Sequence, residues 1–143
     1  MLKAEMLRAI GLTIGIVGAV CAQTPSPTPV DLPPVSIERR REAMEKLLEG
    51  QRFLLASYNL RSEAAVISTT GRARESFLKA VELDPSLAEA YTALAEIAVS
   101  TPPNDIGEAI KYALAAVRVD GRNFGGRRLL ARLYTIRARG ADG

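Results

Sequence analysis

The chain offers few groups with which to do chemistry. It has no histidine, which removes the commonest general base and the commonest metal ligand. Its one cysteine, Cys21, lies in the N-terminal segment. A chain cut after it would hold no thiol, so no disulfide, thiolate zinc site or cysteine nucleophile is available. The remaining acid–base candidates are Glu108 with Lys111 and Glu89 with Glu96. On helices such pairs read as surface ion pairs or solvated charges. No glycine loop for phosphate, no metal-ligand spacing and no nucleophile motif is present in the sequence. The residue types predict a protein that binds rather than catalyses, with no cofactor, no metal and no small-molecule substrate.

Charge narrows the choice of partner. The net charge is +3 over 143 residues. Much of the excess gathers late in the chain, at Arg118, Arg122, Arg127, Arg128, Arg132, Arg137 and Arg139. A nucleic-acid binder using these arginines is one reading. A denser basic stripe with interleaved aromatics is what such binding asks for, and that is missing. The expectation is therefore a protein or peptide partner and no nucleic acid.

The first 22 residues read as an address. Lys3 and Arg8 open the chain, and Ala9 to Val20 form an uncharged apolar run. That run is short of the roughly 20 residues a membrane span needs, but it suits the apolar core of a secretory signal. Cleavage after Ala22 would leave Ala and Val at the two positions that want small side chains. Two other readings stay open: lipidation of Cys21, or an uncleaved N-terminal anchor. Export is expected, to a periplasm or the outside, with a membrane attachment only in those two cases. Residues 23–35, with the run QTPSPTPVDLPP from Gln23 to Pro34, read as a semi-extended spacer, because proline removes donors and fixes φ.

Residues 36–139 must supply the whole core, with 140–143 expected to be a disordered tail. Alanine is abundant and aromatics are scarce, which suits closely packed helices rather than a sandwich. Ser36 is placed to cap a first helix carrying Met44, Leu47, Leu48, Phe53 and Leu54 as an apolar stripe. Gly50 inside it costs about 1 kcal/mol unless a close crossing needs it. Thr69–Thr70–Gly71 reads as a break and a new cap, after a long connection from Asn59. Ala73, Phe77, Ala80 and Val81 form the next stripe, which Asp84–Pro85 ends. Ser86 with Glu89, and Asp105 with Glu108, read as capping boxes. Leu87, Tyr91, Leu94, Ala95 and Ala98 face one way in the third helix, and Pro102–Pro103 stop it. Ala109, Ala113, Ala116 and Val117 follow, with Gly121 as a left-handed terminal residue. Asn123 is placed to cap a last helix bearing Phe124, Leu130, Leu133 and Tyr134 on one side.

The decisive pattern is self-similarity. AVELDPSLAEAYTALA from Ala80 and AVRVDGRNFGGRRLLA from Ala116 align without gaps, 36 residues apart. That is close to the period of about 34 in tetratricopeptide (TPR) units, and the body resembles that family. The pattern A-x3-F-x2-A-x4-P of a second helix stands complete as Ala73, Phe77, Ala80 and Pro85. The next first helix has Tyr91, Leu94 and the small Ala95. The following second helix keeps Ala109 and Ala116, with Ala113 for Phe and Gly121 for Pro. The last helix has Leu130, Ala131 and Tyr134, and Gly50 and Phe53 match another first helix.

The resemblance implies an all-α fold of stacked antiparallel helical hairpins, a short α-solenoid of about two units plus a terminal helix. It implies a concave face that holds a peptide or a partner's helix. By its phase Glu89, Thr92 and Glu96 point to that face, with Arg128 and Arg132 from the last helix. The carboxylate clamp of chaperone-binding TPR domains needs Lys and Asn where Thr92 and Glu96 stand, so no such clamp is expected. The function implied is a non-catalytic interaction module or scaffold outside the cytoplasm. The alternative is the front piece of a longer TPR protein with no independent function. A short array leaves its last helix uncovered, so a homodimer through that helix is a further expectation.

Overall fold

The computed structural model describes residue 32 and residues 34–141. The expected signal segment and nearly all of the proline spacer lie outside the described residues. Five helices follow one another: α1 (Ile37–Ser57), α2 (Glu63–Leu83), α3 (Ala88–Ser100), α4 (Ile106–Val119) and α5 (Phe124–Ala141). No strand occurs among the described residues, so the fold is all-α as expected.

Local chemistry accounts for most of the helix ends. Ser36 accepts a hydrogen bond from the Arg39 N–H at 3.3 Å and starts α1, with Glu38 in the positive first turn. Asp105 starts α4 in the same way, taking the Glu108 N–H at 2.8 Å. Asn123 starts α5, taking the Gly126 N–H at 2.6 Å. Asp84 ends α2 in an extended conformation, as a residue before proline should. Thr101 ends α3 just before Pro102. The turn is completed by Asn104 at φ 58°, whose side-chain amide donates to the Val99 carbonyl at 2.9 Å.

Several expectations are corrected. Thr69, Thr70 and Gly71 lie inside α2, not at a break, so the α1–α2 connection is only Tyr58 to Ser62. The Thr70 hydroxyl donates to the Val66 carbonyl at 2.8 Å, satisfying itself within the helix. Packing of α2 on α1 overrides the weak propensity of this stretch. Ser86 does not cap α3. Its N–H and its hydroxyl both donate to Asp84 Oδ1, at 2.9 and 2.6 Å, because the buried carboxylate is the stronger acceptor. Leu87 occupies the cap position instead, with no side-chain bond. The Glu108 side chain does not close a box on Asp105; it pairs with Arg74 of α2. Gly121 is not left-handed, since no described glycine has positive φ. Asp120 makes that turn. Gly140 and Ala141 are helical, so α5 extends beyond Arg139 into the expected tail.

The helices pack as neighbours in chain order: α1 on α2, α2 on α3, α3 on α4 and α4 on α5, with α3 also touching α5. Two cores result. One joins α1, α2 and α3 through Ala43, Leu47, Phe77, Leu83 and Leu94. The other joins α3, α4 and α5 through Ala95, Ala109, Ile110, Leu129 and Leu133. Tyr112 packs against both. The repeat-signature residues Ala73, Phe77, Ala80, Leu94, Ala95, Ala109 and Ala116 are buried. Gly50 is buried too, and a Cβ there would lie 2.7 Å from the Phe77 ring. Phe53 is half-buried beneath the Arg72 guanidinium, 4.1 Å from the ring centroid. Pro85, Tyr91 and Leu130 are half-buried. Burial beside Tyr112 pushes the Tyr91 hydroxyl pKa up.

The stripes differ from expectation at both ends. Met44 and Leu48 are exposed, so α1 packs through Ala43, Leu47 and Gly50. Leu133 is buried as expected, but Tyr134 and Phe124 are exposed and Leu129 is buried instead.

Candidate binding groove

The three odd-numbered helices contribute to one face. Gly50, Ala95 and Ala131 are small residues of α1, α3 and α5 that the resemblance to TPR units aligns with one another. The residue after each, Gln51, Glu96 and Arg132, lines a depression on that face. Nearest the α2–α3 turn, Gln51 and Leu54 of α1 face Glu89, Thr92, Ala93 and Glu96 of α3. Asp120, Asn123 and Phe124 close that depression from the α4–α5 turn. A second depression continues from Glu96, with Tyr58 of α1, Val99 and Ser100 of α3, and Arg128, Leu129 and Arg132 of α5. Glu96 borders both.

The five residues expected to face a partner line these two depressions. Glu89, Thr92 and Glu96 share the first depression, and Glu96 meets Arg128 and Arg132 in the second. Thr92 differs from the others in what it can offer. Its hydroxyl proton is shared between the Ala88 carbonyl, at 3.0 Å, and Asn123 Oδ1, at 3.3 Å. The hydroxyl ties α3 to the start of α5 and has no proton left for a ligand. Gly125 allows this approach, since a Cβ there would sit 3.3 Å from Thr92 Cγ2.

The electrostatics are graded along the face. Glu89 and Asp120 lie at one end, Arg128 and Arg132 at the other, and Glu96 between them. None of these five pairs with an opposite charge among the described residues. Phe124 and Tyr58 add large exposed rings, 74% and 73% accessible, one in each depression. Such rings supply contact area at low entropic cost.

Phasing on α3 and α5 alone misses the contributions of α1. Gln51 could have been found from Gly50, by the same step that leads from Ala95 to Glu96. Tyr58 and Phe124 carry no such signal, because Tyr58 follows the end of α1 and Phe124 has no counterpart of its type in α3.

Behind the groove, the α2–α3 turn is pinned. Asp84 is 1% exposed, and its Oδ2 accepts from Arg40 Nε at 3.3 Å, across from α1. Burial disfavours the charged carboxylate. The two Ser86 bonds and the Arg40 guanidinium outweigh it, and hold the Asp84 pKa below its ordinary value. Asp120 repeats the turn without the burial. Its Oδ1 takes the Arg122 N–H at 2.9 Å, with nearly the same backbone angles as Asp84, but it is exposed. Arg40 of α1 reaches the first turn, and no ion pair reaches Asp120 in the second among the described residues.

Among the described residues, no cluster of three His, Cys, Asp or Glu is placed to hold a metal. No described helix is long and apolar enough to cross a membrane. Comparison of the chain with models of known protein families and with curated proteins finds no match.

Proposed function

We propose that this chain is a TPR-type interaction module that takes a peptide or a partner's helix along the face of α1, α3 and α5. The observation that carries this reading is the line of Gln51, Glu96 and Arg132, one residue after the small position of each first-type helix, on a single graded face. The stacking of hairpins as a short solenoid is supported by the matched turns at Asp84 and Asp120 and by packing between chain neighbours. A segment with a basic end and an acidic end would dock in one direction, its basic end by Glu89 and Glu96 and its acidic end by Arg128 and Arg132. Tyr58 and Phe124 would supply the anchoring contact. The chain does this outside the cytoplasm, with its proline spacer leading into the helical body.

Selection from a displayed peptide library tests the reading. Enriched sequences should be charge-polarised. Their binding should fall at least tenfold with R128E/R132E, while Lys79→Glu on α2 leaves it unchanged. An unpolarised pool, or binding indifferent to the arginines, would refute it.

A further inference from the structure

Helix α1 has two apolar sides. One packs on α2 through Ala43, Leu47 and Gly50. The other presents Ile37, Met44, Leu48 and Leu55, which are 84%, 42%, 48% and 65% exposed. Four large aliphatic side chains aligned along one exposed stripe are unusual on a surface that meets only water. Gln51 and Arg41 fill the two intervening positions. Spacings alternate between four and three residues from Ile37 to Tyr58, the repeat of a coiled-coil seam.

We propose that this stripe pairs with the same stripe of a second copy of the chain, the two α1 helices running antiparallel. The order of side chains is palindromic about Lys46. A two-fold axis there sets Ile37 against Leu55 of the second copy, Met44 against Leu48, and Arg41 against Gln51. Every large aliphatic residue of the stripe then meets another, and the polar positions meet each other. The flank carries complementary charge. Glu38, Glu45 and Arg52 follow one another along it, all exposed. In the antiparallel register Arg52 of one copy lies beside Glu38 and Glu45 of the other, twice by symmetry. The opposite flank is already closed, since Leu47 is buried and Leu54 half-buried against the body. A two-fold contact of this kind closes on itself and stops at a dimer.

The last helix fits a second copy less well. Its exposed side carries Arg127, Arg128, Arg132 and Arg137, and no acidic residue lies between Phe124 and Ala141. Two such faces repel.

Sedimentation of the full chain across the micromolar range tests the proposal. The expected result is a dimer that dissociates on dilution. Leu48→Glu should give a monomer of unchanged helicity. In a Cys21→Ser background, M44C/L48C should give a covalent dimer on mild oxidation. A monomer at every concentration overturns the proposal. So does open-ended association, or a dimer that Leu48→Glu leaves intact and Tyr134→Glu dissolves. A monomer whose melting point falls with Leu48→Glu also overturns it, because the stripe is then covered by the chain's own N-terminal part. Met44, Leu48 and Tyr134 line neither depression of the groove, and none of these variants alters Glu89, Glu96, Arg128 or Arg132, so the state of assembly is read separately from the groove charges.

Discussion

The Phe77 ring lies flat against Gly50, so close that a Cβ on Gly50 would come within 2.9 Å of three ring carbons. Phe77 is fully buried and cannot turn aside. Gly50→Ala gains about 1 kcal/mol of helix propensity but must push the ring, and overpacking of this kind costs about 1–3 kcal/mol. The variant should be less stable than the parent in urea denaturation. Phe77→Leu in the same chain should recover part of the loss, because the two sites share one contact. Additive losses would mean the crossing is looser than it looks.

Asp84 sets an acid limit on stability. Its pKa is below the ordinary value in the folded chain, so its contribution is present above the unfolded pKa and is lost as pH falls through the folded one. Stability should therefore drop on the acid side of the ordinary Asp range. Asp84→Asn should flatten that drop and cost about 1–3 kcal/mol near neutral pH, since buried charge-assisted bonds are lost. Arg40→Ala should cost less, under about 1 kcal/mol, because the arginine is itself largely exposed. A pH series of denaturation midpoints checks all three.

Gly71 lies mid-helix on the exposed side of α2, and a Cβ there would meet nothing within 4 Å. Gly71→Ala should raise stability by about 0.5–1 kcal/mol. A neutral or destabilising result would mean that α2 is broken near Thr69, as the residue types alone suggest.

Thr92 and Asn123 hold α3 to the start of α5. Asn123→Ala should cost about 1 kcal/mol through loss of the cap, and Thr92→Val about 0.5–1.5 kcal/mol. The two effects should be coupled in a double-mutant cycle, since both rest on Asn123 Oδ1. Independent effects would leave Thr92 bonded to its own helix alone.

Much of the architecture is legible in particular residues. Pro85, Pro102 and the caps Ser36, Asp105 and Asn123 announce five helices, because each acts on its own neighbours. Gly50 announces the close crossing, because a mid-helix glycine calls for a reason. The misreadings arise where a distant partner decides. Packing on α1 carries α2 through Thr69 and Gly71. The buried Asp84 captures Ser86, and Arg74 captures Glu108, both beyond the reach of a local motif. Met44 and Leu48 mislead because α1 has two apolar sides, and one stripe read across both mixes them. In the groove, α3 and α5 are phased by the aligned repeat. In α1 the same step leads from Gly50 to Gln51, whereas Tyr58 lies past the helix end and carries no such signal.

The two cores have a mechanical consequence. Leu47 and Phe77 are joined to Ile110 and Leu133 only through α3, Tyr112 and the Arg74–Glu108 pair. Tension applied between the spacer and the C-terminus would not break one cooperative block. It would unzip the chain from its ends, α5 peeling from its neighbours and α1 from α2, with α3 among the last to yield. A protein suspended between two anchors would lengthen in stages and could rewind from the middle outward.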